Sequence, residues 1–316
     1  MNGENEGNRI RLSMVVPLFN EAESLPELYA ALDKTLSLCA GPCELIFVDD
    51  GSSDASFEVL KSLRSMDERV KIVQLRGNQG KATALAVGFR EARGEIVITL
   101  DADLQDDPRE IPKFLAKLEE GYDLVSGWKV RRQDPWTRRL LSAIFNRVTA
   151  LITGLRIHDF NCGFKAYRRP VISELKLHGE LHRFIPALAS WRGFRLTEIE
   201  VEHHPRKYGR SKYGMERIPW GFFDLLTVIM LTRYTTKPLH LFGLLGLFLG
   251  IAGFGITAYL SLGWLLGKWI GTRPLFLVGA VLMIAGIQLV SFGLVAEMIV
   301  YSSRTQGDPP VRAILK

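Results

Sequence analysis

Cysteine is scarce in this chain, and its few positions form no recognisable metal or disulfide motif. There are three cysteines among the 316 residues, Cys39, Cys43 and Cys162. The first two are not spaced as C-x-x-C, and no histidine cluster completes a zinc site. We therefore expect three small, free thiols in apolar surroundings, within a reducing compartment.

The chain also lacks the features of a nucleic-acid-binding protein. Its formal net charge of +6 is modest, and it contains neither a long block of lysine and arginine nor a known nucleic-acid motif. No nucleic-acid partner is expected. The basic excess instead favours a membrane surface or a phosphate-bearing substrate as the partner.

Two common nucleotide-binding motifs are absent as well. The Walker pattern fails around Gly80 and Lys81, because Leu75 stands where glycine is required and Ala82 where serine or threonine is required. No G-x-G-x-x-G follows the first predicted strand, which counts against a dinucleotide-dependent dehydrogenase. Any nucleotide site in this chain must therefore use other residues.

Charged residues nearly vanish after Leu239. Two apolar segments, at about 239–266 and 275–301, each exceed the roughly 20 residues needed to cross a bilayer; two buried helices of a soluble core are the alternative. We expect a membrane domain over 231–316, with a short cytosolic tail, after a catalytic domain over 1–230. Lysine and arginine crowd the domain side of the spans, and the N-terminus has no apolar signal region, so the domain is expected in the cytosol.

The first half of the chain alternates apolar strands with amphipathic helices. Strands are predicted over 12–17, 44–48, 70–75, 95–100 and 123–126, and helices over 23–38, 55–66, 80–92 and 110–120. Repeated β-α units with apolar strands predict an α/β fold with a mostly parallel sheet covered on both faces. Ligands bind such sheets beyond the carboxyl ends of the strands, so the polar clusters that follow these strands are the candidate site.

The region between the sheet and the spans is mixed in character. Segments at about 138–153 and 217–231 are predicted to be interfacial helices; the first has basic residues on one side and apolar residues on the other. The stretch 203–214 is polar and basic. Its glycines Gly209 and Gly214 predict a loop that can open and close.

A pair of aspartates, Asp101 and Asp103, follows the predicted strand 95–100. They are two residues apart, so both carboxylates can point the same way. Such close carboxylates repel each other unless a cation lies between them or one is protonated. With Gln105 they form an oxygen set that suits Mg²⁺ or Mn²⁺, with phosphate oxygens completing the shell. The alternative is an acidic turn that binds no ion.

Two other strand ends carry polar residues. Asp49 and Asp50 end the strand 44–48, and a carboxylate there can accept hydrogen bonds from a base or a ribose hydroxyl. The alternative is that Asp50 only caps the next helix. Asn20 and Glu21 close the first strand at the same end of the sheet, where they could instead simply begin a helix.

Four motifs, in this order and spacing, resemble those of the family 2 glycosyltransferases of the GT-A (Rossmann-like) fold. They are V-V-P-L-F-N-E at 15–21, V-D-D-G-S at 48–52, L-D-A-D-L-Q at 100–105 and R-S-K-Y at 210–213. More narrowly, the chain resembles the polyprenyl-phosphate glycosyltransferases: dolichyl-phosphate mannose synthase and the bacterial undecaprenyl-phosphate glucosyl and aminoarabinosyl transferases. The likeness runs from about residue 12 through both predicted spans.

The resemblance implies a role for each matching residue. For the nucleotide-sugar it implies Pro17, Phe19, Asn20, Glu21, Asp50, Gly80, Asp101, Ala102, Arg206 and Lys212. For catalysis it implies Asp101, Asp103, Asp159, Arg206 and Lys212. For the metal it implies Asp101, Asp103 and Gln105, and for the acceptor phosphate Lys129, Arg138 and Ser142.

The implied reaction is an inverting, metal-dependent transfer of a hexose from a nucleotide-sugar to a polyprenyl phosphate, at the cytosolic face of a bacterial inner membrane. A UDP-hexose is favoured as donor, with GDP-mannose as the alternative. A phosphate monoester is already mostly ionised near neutral pH, its second pKa being about 6, so a strong general base is less needed and Asp159 is expected to orient a substrate. Two alternatives are disfavoured. A processive polysaccharide synthase would carry a Q-x-x-R-W motif and more spans, and this sequence has neither. A non-catalytic membrane adaptor would not need the intact motifs that this chain has.

The predicted spans contain a few polar and small residues. Gln288 and Glu297 should face another helix rather than lipid, although Glu297 is close enough to the cytosolic end to snorkel to the interface. Gly279, Ala280 and Gly286 allow helices to approach closely, so a homo-oligomer through the spans is a further prediction.

Overall fold

The structure, a computed structural model, describes residues 10–130, 142, 146–147, 149–150, 153–155, 157–175, 181–208, 237–267 and 274–304. The chain divides into two compact units, Met1–Val228 and Ile229–Lys316. The first unit contains a β-sheet with its helices, and the second contains two long helices.

A seven-stranded sheet forms the centre of the first unit. Its strands are β1 (Leu12–Leu18), β2 (Cys43–Asp49), β3 (Val70–Gln74), β4 (Ile96–Thr99), β5 (Leu124–Lys129), β6 (Lys165–Arg168) and β7 (Leu196–Val201). Their order is β3-β2-β1-β4-β6-β5-β7. The first four are parallel, β6 is antiparallel to both its neighbours, and β5 pairs with β7 in parallel. The carboxyl ends of β1, β2 and β4 therefore lie side by side.

Helices cover both faces of this sheet. They are α1 (Leu25–Leu36), α2 (Ser56–Met66), α3 (Lys81–Glu91), α4 (Ile111–Glu119), α5 (Arg169–Glu174) and α6 (Ile185–Trp191), with 3-10 helices at Pro108–Glu110 and Leu181–Phe184. Along β1, Met14 and Val16 join an apolar cluster with α1, α2 and α4, whereas Val15 joins another with α3, α5 and α6. Burial on both faces explains why these strands are continuous apolar runs.

The predicted α/β fold with a mostly parallel sheet is confirmed, and every strand and helix predicted in the first half of the chain is present within about three residues of its bounds. Two strands were missed. The strand β6 is only four residues long, with Lys165 and Arg168 at its ends. The strand β7 lies at the edge of the sheet, and most of its residues are half-buried. Neither contains the apolar run that identified the other strands.

Only part of the predicted interfacial region is described. Within the segment 138–153, the described residues Ser142, Asn146, Arg147, Thr149, Ala150 and Thr153 are helical. The segment 217–231 and the loop residues from Gly209 to Gly214 lie outside the described residues. The interfacial position of both helices therefore stays a prediction.

The second unit consists of α7 (Pro238–Leu265) and α8 (Pro274–Arg304). Both helices are long and apolar enough to cross a membrane, by length and composition, and they agree with the predicted spans. Only 11% of the apolar window of each helix is buried. Core helices of a soluble domain would be mostly buried, so this exposure disfavours the alternative of a soluble helical core.

Glycines allow α7 and α8 to pack closely. A side chain added at Gly246 would meet the backbone oxygen of Gly286 at 2.6 Å, and one added at Gly253 would meet that of Gly279 at 2.6 Å. Gly279 and Gly286, which the sequence predicted to mediate contacts between copies, thus lie at a contact within one chain. Small residues at such contacts are typical of membrane helix pairs.

The carboxylate of Glu297 caps the first turn of α7. Its Oε2 atom accepts a hydrogen bond from the Leu239 N–H at 3.2 Å. The first N–H groups of a helix have no partner within the helix, so this bond satisfies one of them. The contact favours the prediction that Glu297 faces another helix over the alternative that it snorkels.

Candidate active site

A cavity of about 280 Å³ opens at the carboxyl ends of β1, β2 and β4. It is lined by Pro17, Leu18, Phe19, Glu21, Asp50, Asn78, Gly80, Lys81, Ala84, Asp101, Ala102, Asp103, His182 and Arg206. The polar clusters predicted from three separate strand ends thus share one cavity. Its position is the one at which open α/β sheets bind ligands.

The segment after β1 is held against the segment after β2 by Asn20. This residue has a left-handed backbone, with a φ of 52°. Its side-chain oxygen accepts from the Ser53 N–H at 2.7 Å, and its own N–H donates to the Ser52 hydroxyl at 2.8 Å. Asn20, predicted to contact the nucleotide-sugar, is not among the lining residues; it positions Phe19 and Glu21, which are.

The carboxylate of Asp50 connects the end of β2 to the start of α3. It accepts hydrogen bonds from the N–H groups of Gln79 at 2.7 Å and Gly80 at 2.9 Å. Burial raises the pKa of Asp50 in spite of these two bonds. It is Asp49, and not Asp50, that accepts from the Ser52 N–H, at 2.9 Å. The alternative that Asp50 only caps α2 is therefore disfavoured.

Each aspartate of the D-x-D motif is paired with a basic side chain in the cavity. The Lys81 ammonium lies 2.5 Å from Asp101, and the Arg206 guanidinium lies 2.6 Å from Asp103 and 3.6 Å from Glu21. Burial alone would raise the pKa of Asp101, but the Lys81 charge outweighs it and lowers this pKa. Burial and the neighbouring Asp101 charge raise the pKa of Asp103, although Arg206 opposes them.

These two carboxylates fit a divalent cation. Asp101 and Asp103 both line the cavity, and each already holds a cationic nitrogen atom there. Two carboxylates that share one cavity repel each other, which favours a cation between them. Hard oxygen ligands are those that Mg²⁺ and Mn²⁺ prefer. Gln105, the third predicted ligand, is not among the lining residues. Its side-chain amide donates to the His204 carbonyl at 3.5 Å.

A second group of possible metal ligands lies near the end of β7. Single ligand atoms of Asp107, Glu202 and His204 all lie within 4.8 Å of one another. The His204 side chain is 44% exposed and the Glu202 side chain is 66% exposed. None of the three residues is among those that line the cavity, so this group is a weaker candidate for the metal of the proposed site than the D-x-D pair.

The segment after residue 157 packs under the D-x-D motif. A side chain at Gly163 would meet the Asp101 carboxylate at 2.5 Å, and the Thr99 hydroxyl donates to the Gly163 carbonyl at 2.8 Å. Asp159, predicted to be catalytic, is 1% exposed and accepts from the Asn161 N–H at 3.1 Å. It is not among the residues that line the described cavity.

The predicted acceptor-phosphate residues are only partly described. The Lys129 side chain is 12% exposed, and its ammonium lies 2.6 Å from the buried Asp106 carboxylate. Burial would lower the pKa of Lys129, but Asp106 outweighs it and raises this pKa. These contacts favour a structural role for Lys129 over phosphate binding. Ser142 is helical and half-buried, whereas Arg138 and the predicted catalytic Lys212 lie outside the described residues.

Two chemically active lining residues were not predicted for the site. Lys81 begins α3, and in the sequence it stands out only as part of a failed Walker pattern. His182 lies in the 3-10 helix Leu181–Phe184, far along the chain from the ends of β1, β2 and β4 at which the site was predicted. The signal for Lys81 is its position one residue after Gly80, itself predicted to bind the donor. His182 has no comparable signal, because only the tertiary fold brings it to the cavity.

The chain belongs to glycosyl transferase family 2, whose family model matches residues 13–176. It is 40% identical, over 92% of its length and 88% of the relative's, to a dodecaprenyl-phosphate galacturonate synthase of Rhizobium johnstonii. It is 38% identical, with the same coverage, to an undecaprenyl-phosphate 4-deoxy-4-formamido-L-arabinose transferase of Proteus mirabilis. The resemblance to polyprenyl-phosphate glycosyltransferases, drawn from the motifs, is confirmed.

Solved structures agree on the fold. Glucosyl-3-phosphoglycerate synthase from Mycobacterium tuberculosis, in complex with Mn²⁺, UDP and glucosyl-3-phosphoglycerate, superposes with a TM-score of 0.51 at 17% identity, covering 71% of this chain and 80% of that one. Its complex with Mn²⁺, UDP-glucose and phosphoglyceric acid gives a TM-score of 0.52 at 17% identity, covering 71% and 79%. At such identities the likeness supports the fold alone.

Proposed function

We propose that this protein transfers a sugar from a UDP-sugar to the phosphate of a polyprenyl phosphate at the cytosolic face of a membrane. The observation that carries the proposal is the cavity in which Asp50, Asp101, Asp103 and Arg206 meet, in a chain that also has two apolar helices of membrane-spanning length. Relatives at 38–40% identity are named for transfer to undecaprenyl or dodecaprenyl phosphate, which supports this acceptor.

The nucleotide occupies the part of the cavity between Phe19 and Asp50. Phe19 offers an apolar surface to a base, and the Asp50 carboxylate accepts hydrogen bonds from base or ribose donors. Besides binding the nucleotide, Asp50 accepts hydrogen bonds from the N–H groups of Gln79 and Gly80, and so it fixes the start of α3 beside the nucleotide. Asn20 supports the opposite wall by holding the segment after β1.

The diphosphate lies beside Asp101 and Asp103. When bound, a divalent metal ion held by these carboxylates supplies positive charge next to the departing nucleoside diphosphate. Lys81 and Arg206, which pair with the two aspartates, then turn to the phosphate oxygens. Cleavage of the sugar–phosphate bond leaves negative charge on the diphosphate, and these two side chains stabilise it where it develops.

The acceptor needs little activation. A phosphate monoester is mostly dianionic near neutral pH, since its second pKa is about 6, so its oxygen attacks the sugar carbon without a strong general base. Asp159 is buried, does not line the described cavity, and accepts a hydrogen bond from the Asn161 N–H. We therefore assign it a positioning role for the segment that supports Asp101. Arg138 and Ser142 remain the proposed ligands of the acceptor phosphate.

The donor sugar is proposed to be a hexose or a hexose-derived sugar carried by UDP. The two relatives are named for galacturonate, a hexuronate, and for 4-deoxy-4-formamido-L-arabinose, a modified pentose, so both kinds of sugar belong in any donor panel beside the hexoses. GDP-mannose is the second candidate donor, because the resemblance to mannose synthases covers the same motifs. Among the described residues that line the cavity, no side chain distinguishes uracil from guanine, so GDP-mannose belongs in the same test as the UDP-sugars.

The test is a panel of labelled nucleotide-sugars incubated with membranes and undecaprenyl phosphate, with and without EDTA. We expect transfer from a UDP-sugar, loss of activity with EDTA, and a decrease of roughly 10²-fold or more in Asp103→Asn. The matched control is Glu202→Gln, which removes an exposed carboxylate from the second ligand group. Full metal-dependent activity in Asp103→Asn, or its loss in Glu202→Gln instead, would contradict the metal assignment.

A further inference from the structure

Gln288 is a polar residue close to the midpoint of the apolar stretch Pro274–Val300, which is 27 residues long. Its side chain is exposed, and its amide has no hydrogen-bond partner among the described residues. In the hydrocarbon core of a membrane, a polar group without a hydrogen bond is costly, because no water is present to take the place of a partner. Gln288 therefore requires a partner that lies outside the helix pair α7 and α8.

The face of α8 that carries Gln288 is opposite the face that packs against α7. Gly279, Gly286 and Gly293 form the packed face, since a side chain added at any of them would meet an atom of α7 at 2.6–3.0 Å. Gln288 lies two residues after Gly286, and two residues advance the chain by about 200° around an α-helix. Its amide therefore points away from α7.

Gln288 belongs to a continuous exposed stripe on this outer face of α8, which we call the outer seam. Its members follow one another at alternating intervals of three and four residues, which is the spacing of the contact face in a coiled coil. Four of them are apolar, with exposed fractions of 54–72%, and the other two are polar and also exposed. The outer seam consists of Val281, Ile284, Gln288, Ser291, Val295 and Met298.

A second copy of this chain is the partner that matches Gln288. Copies inserted in the same orientation have parallel α8 helices, so their Gln288 amides lie at the same depth in the membrane. A primary amide offers both donors and an acceptor, so two such amides satisfy each other, whereas a lipid tail offers neither group. A single polar residue in an apolar seam is also a known way to fix the register and the number of packed helices.

Ser291, the other polar residue of the outer seam, needs no partner from another chain. Its hydroxyl donates to the Ile287 carbonyl at 2.9 Å, within its own helix. The requirement for an external hydrogen bond on the outer seam therefore comes from Gln288.

We propose that two copies of this chain associate in the membrane through the outer seam of α8, with their Gln288 amides hydrogen-bonded to each other. The proposal goes beyond sugar transfer and does not depend on the donor or the acceptor. It also moves the contact between copies away from Gly279 and Gly286, at which the sequence placed it, because those glycines are used within each chain.

Disulfide cross-linking in native membranes tests which face of the helix pair meets a second copy. Full-length Ile284→Cys, at a position on the outer seam that is 57% exposed, is oxidised with copper phenanthroline, and we expect a covalent dimer on non-reducing electrophoresis. Ile251→Cys is the matched control, because it makes the same substitution on α7 at a position that is 63% exposed. It should give no more dimer than the wild-type chain, whose three cysteines all lie in the first unit. Equal dimer from both variants, or none from Ile284→Cys, would overturn the proposal.

Energy transfer between purified chains in liposomes tests the role of the amide itself. Full-length copies fused to a donor or an acceptor fluorescent protein are mixed at increasing protein-to-lipid ratios. In Gln288→Leu we expect the Kd for association to rise roughly tenfold, because the hydrogen bond between the chains is lost. Gln288→Asn retains an amide and should retain most of the association. Ser291→Ala removes a hydroxyl that is bonded within its own helix, so its Kd should stay within about twofold of the wild-type value.

Two outcomes of this measurement would overturn the proposal. Association of Gln288→Leu as tight as that of the wild-type chain would show that the amide does not hold the copies together. An absence of energy transfer between purified wild-type chains, together with cross-linking of Ile284→Cys to a species of different mass in native membranes, would assign the outer seam to another membrane protein.

Discussion

At the scale of single residues, the position of the Asp101 carboxylate depends on the absence of a side chain at Gly163. An added methyl group would lie 2.5 Å from the Asp101 Oδ2 atom and 2.7 Å from its Cγ atom. The carboxylate is held on its other side by Lys81, at 2.5 Å. Any side chain at position 163 must therefore displace the carboxylate or the segment that supports it.

We predict that Gly163→Ala weakens Mn²⁺ binding by roughly tenfold or more, because a ligand shifted by a fraction of an ångström loses its coordination geometry. Isothermal titration with Mn²⁺ and UDP measures the effect. Gly77→Ala is the matched control, since an added methyl at Gly77 has nothing within 4 Å. Equal Mn²⁺ affinity in Gly163→Ala and Gly77→Ala would refute the assignment of Asp101 to the metal.

A second prediction at this scale concerns Lys81. Its ammonium competes with a metal ion for Asp101, so Lys81→Met should bind Mn²⁺ more tightly in the absence of nucleotide. The same change should weaken UDP binding in the presence of Mn²⁺, because it removes a cation proposed to turn to the phosphates. Lys117→Met, which removes an exposed lysine paired with Glu120, is the control. Weaker Mn²⁺ binding in Lys81→Met would show that the lysine supports the metal rather than competing with it.

Part of the site could be predicted from the sequence because three of its residues directly follow strands. Asp50, Asp101 and Asp103 each follow a continuous apolar run, and the end of a buried parallel strand has a known place in the fold. Lys81 and His182 come from a helix start and a 3-10 helix, whose distance from the strand ends is set by packing. No local pattern in the sequence contains that distance, so these residues could not be assigned to the cavity beforehand.

At the scale of secondary-structure elements, the limits of prediction follow from burial. The strands β1, β2 and β4 are buried along almost their whole length, and each contains a run of consecutive apolar residues. The strand β7 has the pattern L-T-E-I-E-V and lies at the sheet edge, where one face remains open to polar side chains. The central place of β6, antiparallel between β4 and β5, depends on pairing with distant strands. Long-range pairing of this kind leaves no trace within a four-residue segment.

The close packing of α7 against α8 can be tested by adding a side chain at Gly253. In Gly253→Leu, the new side chain would meet the Gly279 carbonyl at 2.6 Å and the Met283 N–H group at 2.7 Å. Overpacking of this kind costs about 1–3 kcal/mol. We expect the thermal unfolding midpoint of the detergent-solubilised protein to fall by roughly 5 °C.

The same helix offers a matched control for that substitution. Gly255 is two residues further along α7, and a side chain added there has nothing within 4 Å. Both variants carry a fluorescent protein fused to the C-terminus, and each is heated and then separated by size-exclusion chromatography. The fluorescence that remains in the peak of folded protein measures the loss of folded protein. An unfolding midpoint for Gly253→Leu as high as that for Gly255→Leu would contradict the close contact between α7 and α8.

At the scale of the whole molecule, the division of the chain into an α/β unit and an apolar helical unit follows from the distribution of charge. Charged residues are frequent before Lys237 and rare between Pro238 and Met298. That contrast predicted both the boundary region and the number of long helices, because only a change of solvent removes charge from so long a stretch. The identity of the donor sugar could not be predicted in the same way, since it depends on the shape of the cavity beyond Asp101.

The orientation in the membrane is the prediction that belongs to the whole molecule. With two spans and a cytosolic catalytic unit, the connection between α7 and α8 must face the opposite side of the membrane.

The three native cysteines all precede Val228 and are free, so a membrane-impermeant maleimide added to intact bacterial spheroplasts should not label the wild-type chain. The variant Ile270→Cys should be labelled without permeabilisation, because residue 270 lies in that connection. Ser302→Cys, at the far end of α8, should react only after detergent is added. Labelling of Ser302→Cys, but not of Ile270→Cys, in intact spheroplasts would reverse the orientation and place the catalytic unit away from cytosolic nucleotide-sugars.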